Sequence, residues 1–288
     1  MSLKEHGESD GFTASSARPL WKGEPTLTLI IGAHLNHYTI IAAGTRVAAS
    51  LPSFRHVHHD GNHKIAMCRD GLVAASGYPG ILNIFKKELL KDEMISITKI
   101  KQIIADTVFP NMESYNRIFP HLGNHPRFLI SRIPCPGDEN PLLALCMTDS
   151  QGKFRKGIVN GIFTIMPADL NRSSGNAYEE YLRDNLIMFS GNDSDEGYFD
   201  ALLSNLRRNI ILISRCFVEM AGMSALVSHE MDIAALHLSG DIFYAYGQSA
   251  VFSYGELKGM LLIQDHPTTR YLTPDLYGSG RAVPVIPE

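Results

Sequence analysis

Two successive hairpin signals between Thr28 and Gly77 constrain this chain more than any other feature. Apolar, β-branched runs at 29–32 and 38–43 flank a polar break at 34–37, where Asn36 suits a turn. After a polar stretch, Asp70-Gly71 separates the apolar runs 65–68 and 72–75 and predicts a tight two-residue turn. A chain that opens on two such hairpins commits its first third to antiparallel sheet.

Helical periodicity follows. Ile81, Leu82, Ile84, Phe85, Leu89 and Leu90 recur at the spacing of a helix, and a second helix is expected from Ser96, as N-cap, to Val108, with Pro110 stopping it. Strands are expected at 126–133, 142–148, 154–158 and 161–166, and 171–176 reads as a loop. A short strand at 186–189, helices at 196–206 and 209–227, and a hairpin of 232–238 with 242–246 complete the pattern. Beyond it, 251–264 is mixed and the Pro- and Gly-rich tail from His266 reads as extended. Runs of helices set between runs of strands predict an α+β chain with helices layered on antiparallel sheets.

Composition narrows the function classes. A net charge of -4 over 288 residues gives no electrostatic case for nucleic acid or an anionic membrane surface. No apolar run approaches the ~20 residues of a bilayer-spanning helix. Residues 1–27 are polar, without the apolar stretch of a signal peptide, and read as a flexible lead-in. Cys68, Cys135, Cys146 and Cys216 lie far apart, which fits buried free thiols and a cytoplasmic location.

The stretch from Thr28 to Gly77 resembles the opening of a proteasome β-type subunit, of the N-terminal nucleophile (Ntn) hydrolases. Laid on that pattern, the nucleophilic threonine falls on Thr28, the following arginine on Arg46, the catalytic lysine on or beside Lys64, and the glycine before the first helix on Gly77. Ser190, in Ser190-Gly191, matches the serine that assists the nucleophile. The resemblance implies a four-layer αββα sandwich over 28–247, with 1–27 as a propeptide-like segment and 248–288 as an extension. It departs from the pattern at three places: no aspartate stands in register in 219–228, where the family's Arg-Asp-x-x-Ser-Gly-Gly motif should fall, and two further residues differ. Gly44 stands where an aspartate should pair with the lysine, and Leu27 stands where a glycine usually precedes the threonine. Asp60 and Asp70 are the nearest replacement acids, and Ser224 and Ser228 are loose substitutes in a later serine motif.

Threonine-type amide hydrolysis needs a hydroxyl, a free α-amine as base, a cation beside them and donors for the oxyanion. With three departures, the resemblance implies a catalytically impaired Ntn-fold subunit that joins copies of itself or related subunits in a ring. The alternative is an active threonine peptidase that uses Thr28 after removal of 1–27. Neither needs a cofactor. His56, His58, His59 and His63 are read as solvated histidines of a polar loop rather than a metal site.

Overall fold

The computed structural model describes residues 28–50, 56–77, 79–92, 95–118, 126–134, 143–148, 153–156, 161–167, 169–249, 259–264, 270–272 and 281–286. The N-terminal hairpin is β1 (Ile30–His34) with β2 (Tyr38–Gly44), paired antiparallel so that Gly32 faces Ile41. A ribbon of β3 (Val47–Ser50) and β4 (His56–His59) follows, then the second hairpin, β5 (Ile65–Cys68) with β6 (Gly71–Ser76). Helices α1 (Pro79–Leu89), α2 (Ile97–Ile103) and α3 (Phe109–Ile118) come next, with a π-helical turn at Ile104–Val108 joining the last two.

The second half adds β7 (Arg127–Arg132), β8 (Ala144–Thr148), β9 (Phe154–Lys156) and β10 (Ile162–Ile165). Helices α4 (Arg172–Asn185) and α5 (Tyr198–Met223) precede β11 (Glu230–His237) and β12 (Ile242–Ser249). Three short strands close the chain: β13 (Leu261–Gln264), β14 (Arg270–Tyr271) and β15 (Arg281–Pro284).

One sheet has the order β10-β1-β2-β11-β12-β13-β15 and the other β14-β5-β6-β7-β8-β9. Alternation along β1 and its flanks explains the layering. Leu29, Ile31, Ala33 and Leu35 pack toward Leu206, Ile210, Ile213 and Phe217 of α5, while Ile30 joins Ile41, Ile65, Leu72 and Leu129 between the sheets. A third cluster, with Phe85, Ile100, Ile104 and Val108, seals α1–α3 against Val73, Phe128 and Ile130 of the second sheet. The result is the αββα sandwich expected from the sequence. The sheets approach so closely at Gly32 that an added Cβ would stand 2.4 Å from Leu129 Cδ2. A buried hydrogen bond between Thr39 and Ser131 hydroxyls also crosses that interface.

Several local expectations are corrected. The region 171–176 is not a loop: Asn171 accepts the Ser174 N–H at 2.7 Å and caps α4. The segment 186–189 is irregular, because the Asn209 side chain supplies the bonds a strand partner would. Its Oδ1 accepts Ile187 N–H and its Nδ2 donates to the Ile187 carbonyl, both at 2.8 Å. The two helices expected at 196–206 and 209–227 form one, α5. Pro110 does not stop a helix either. It falls at the second position of α3, just after the π-helical turn, and the helix runs on through it. Finally, part of the stretch read as a polar loop pairs as the β3–β4 ribbon.

Candidate active site

Thr28 lies two residues before the start of β1 and is 2% exposed. Its hydroxyl donates to the Gly44 carbonyl at 3.3 Å and accepts from Lys64 Nζ at 2.5 Å. Lys64 directly precedes β5, so the two hairpins that cross in the sandwich bring their first residues together. Nζ also donates to the Arg46 carbonyl at 2.5 Å. Neither oxygen is a carboxylate, and burial pushes the Lys64 ammonium down to about 7. Lys86 and Arg46 push the same way, and Asp232 and Asp60 oppose them. An amine poised there carries a proton or gives it up at neutral pH, which a base for a hydroxyl must do.

Gly44 lies beside this pair. A Cβ there would stand 3.5 Å from Thr28 Oγ1 and 3.3 Å from Ser228 Oγ, so an aspartate at 44 would adjoin both. The acids nearest in sequence do not replace it. Asp60 is engaged by Arg46, whose Nε and second terminal nitrogen reach the two carboxylate oxygens at 2.7 and 2.9 Å. The remaining guanidinium nitrogen donates to the Ala225 carbonyl at 3.0 Å, so Arg46 braces the loop behind the site. Asp70 accepts the Ile97 N–H at 2.6 Å, at the start of α2.

The buried acid near Lys64 is Asp232, on β11. It is 1% exposed and accepts from His63 Nδ1 at 2.7 Å, which raises the His63 pKa. The sequence carried a signal for it, a single acid inside the apolar run of β11. His63 therefore leaves the histidine cluster and joins the site; the side chains of 56–59 lie outside the described residues.

Ser190 is not brought to this site. It is exposed, on a loop whose Phe189 carbonyl accepts from Asn36 Nδ2 at 2.7 Å, in the β1–β2 turn. Thr28 is at the other end of β1, roughly 25 Å away along the strand. The serine flanking Gly44 is Ser228, fully buried, whose Oγ accepts the Thr45 N–H at 2.9 Å and donates to the Glu230 carbonyl. Thr28 and Lys64 open into a cleft of about 520 Å³, counted to its mouth, which is also lined by Asn62, Lys86 and Tyr271. Among the described residues no group of three or more His, Cys, Asp and Glu could hold a metal ion, and no helix is long and apolar enough to cross a membrane.

No protein-family model matches the chain, nor does any curated protein. Its fold is similar to that of solved Anbu structures. The Anbu (Gly-1) mutant from Hyphomicrobium sp. strain MC1 superposes with a TM-score of 0.53 at 12% identity, over 79% of this chain and 89% of that one. The Anbu complex from Pseudomonas aeruginosa, described as a helical assembly, gives 0.51 at 14% identity, over 73% and 81%. These neighbours correct the resemblance to proteasome β-type subunits, since the structures matched are Anbu. What the similarity establishes is the fold: the αββα sandwich of the proteasome-like Ntn proteins.

Proposed function

We propose that this chain is a proteasome-like Ntn-fold subunit that hydrolyses amide bonds with Thr28 as nucleophile and Lys64 as its proton partner. The observation that carries the reading is the 2.5 Å approach of a buried Lys64 amine, with its pKa near 7, to the Thr28 hydroxyl at the head of a cleft. This moves the balance away from the impaired subunit that Gly44 and Leu27 imply in sequence.

The first reaction is on the chain itself. Thr28 Oγ attacks the Leu27 carbonyl carbon as its proton passes to the Lys64 amine, and the bond to the Thr28 nitrogen breaks as an ester forms. The departing nitrogen takes a proton from the Lys64 ammonium, and water cleaves the ester to leave residues 1–27 with a free carboxylate. The freed α-amine of Thr28 then serves as base for peptide substrates, with Lys64 holding the hydroxyl. Arg46, braced by Asp60, fixes the carbonyl that Lys64 also uses. We further propose that the subunit self-assembles, a reading supported by the assembly described for the Pseudomonas relative.

The test is hydrolysis of fluorogenic peptides by the full chain and by Thr28→Ala and Lys64→Ala. Loss of turnover in both, with folding intact, supports the reading; activity retained in Thr28→Ala refutes it. A chain that assembles yet never cleaves any peptide belongs to the non-catalytic alternative, which Gly44 specifically favours.

A further inference from the structure

Lys86 is the feature of the cleft that the proposed chemistry leaves unused. It lies on α1, three residues after Asn83 and four after Leu82, so all three share the helix face that lines the cleft. Its Nζ donates to Asn62 Oδ1 at 3.2 Å and stands 5.0 Å over the ring of Tyr271, and both partners also line the cleft. Among the described residues no carboxylate pairs with it. Burial lowers its pKa, the mark of a cation held partly out of water without an opposite charge. The helix end gains nothing from this arrangement that Lys87, exposed in the same turn, does not supply.

The charge of the whole cleft points the same way. Its described lining contains Arg46, Lys64 and Lys86 and no Asp or Glu. Arg46 is neutralised by Asp60, and Lys64 is committed to the Thr28 hydroxyl. Lys86 alone is left to meet an incoming charge. An uncompensated ammonium beside a cleft favours a ligand that brings an opposite charge over one that brings none or the same sign.

We infer that Lys86, set by Asn62 and Tyr271, selects peptides carrying an acidic side chain at the residue whose carbonyl Thr28 attacks. The inference rests on the reading of Thr28 as nucleophile, and its test has one arm that needs no chemistry. In that arm, dye-labelled Ala-Ala-Ala-Glu amides and their Gln and Lys counterparts are titrated into a Thr28→Ala chain freed of residues 1–27, so that Leu27 does not fill the site, and followed by anisotropy. The Glu amide is expected to bind roughly ten-fold or more tighter than the Gln amide at low salt, with the advantage shrinking as salt rises. Lys86→Met should remove that advantage, Lys86→Arg should keep most of it, and Lys86→Glu should turn the preference toward Lys. A Gln peptide with a free C-terminal carboxylate separates side-chain from chain-end recognition; if it binds as well as the Glu amide, the side-chain assignment falls.

In the second arm, kcat/KM is compared for fluorogenic peptides ending in Glu, Gln or Lys. Equal hydrolysis of all three would overturn the inference and leave the hydrolase standing. Glu-selective binding without any hydrolysis would overturn the hydrolase and leave Lys86 as a site for an acidic side chain, with no attacked residue beside it. Equal binding of Glu and Gln amides, binding of none, or selectivity that survives Lys86→Met in a folded variant would overturn the inference outright.

Discussion

Replacing Lys64 by methionine removes a titrating ammonium from a site that is 8% exposed. A fall in pKa from 10.5 to about 7 corresponds to roughly 5 kcal/mol by which the fold disfavours the charged amine. Below about pH 7 Lys64 is charged in both folded and unfolded chains, and the folded state bears this cost in full. Above it, the folded state sheds a proton that the unfolded chain keeps until about pH 10.5, so stability rises by about 1.4 kcal/mol per pH unit. Lys64→Met lacks this dependence. With both in the Thr28→Ala background, so that neither chain is cut, its stability advantage over the Lys64-containing chain should be largest near pH 6 and should shrink by roughly 3 kcal/mol between about pH 7 and 9.

His63 titrates in the opposite sense. Its raised pKa gives stability that is present below about pH 6.5 and lost as pH rises through the folded value, but both proteins contain it, so it cancels in the difference. The assay is urea unfolding followed by far-UV circular dichroism at one fixed protomer concentration, because the proposed self-assembly would make stability depend on concentration. The only tryptophan, Trp21, lies in the stretch that the proposed cleavage removes, so its fluorescence would not follow unfolding of a cut chain. A stability difference that stays flat with pH would refute the account of Lys64 as a buried amine titrating near neutrality.

Three other substitutions probe separate parts of the account. Gly44→Asp places a carboxylate beside Lys64, so the pKa of the amine should rise and the pH–rate profile should move upward. Its contact with Ser228 Oγ should cost about 1 kcal/mol in urea unfolding. Gly32→Ala drives a methyl against Leu129 across the sheet interface and should destabilise by about 1–3 kcal/mol, part of which Leu129→Ala restores when the two are combined. Ser190→Ala, on an exposed loop far from Thr28, should leave turnover unchanged and stability within about 0.5 kcal/mol.

The sandwich was legible because its first two hairpins declare themselves through β-branched runs and an Asp-Gly turn, signals that depend only on near neighbours. Thr28, Arg46 and Lys64 came from the resemblance to a family pattern, and all three line one cleft. What escaped was decided by distant residues. A lone Asn209 holds 186–189 in place of a strand partner, and the π-helical turn before Pro110 keeps a helix going where a proline signals an end. Ser190 was chosen by a dipeptide match, whereas the serine beside Gly44 is set by β11 folding back next to β2. The environment of Lys64 is likewise assembled from β11, α1 and the loop after β2, which no local pattern encodes.

The most direct test of the central claim is the intact mass of the purified 288-residue chain beside that of Thr28→Ala. The account predicts that the natural chain loses residues 1–27 and begins at Thr28, while Thr28→Ala keeps them. A natural chain that retains residues 1–27, or a Thr28→Ala chain cut at the same bond, would contradict it.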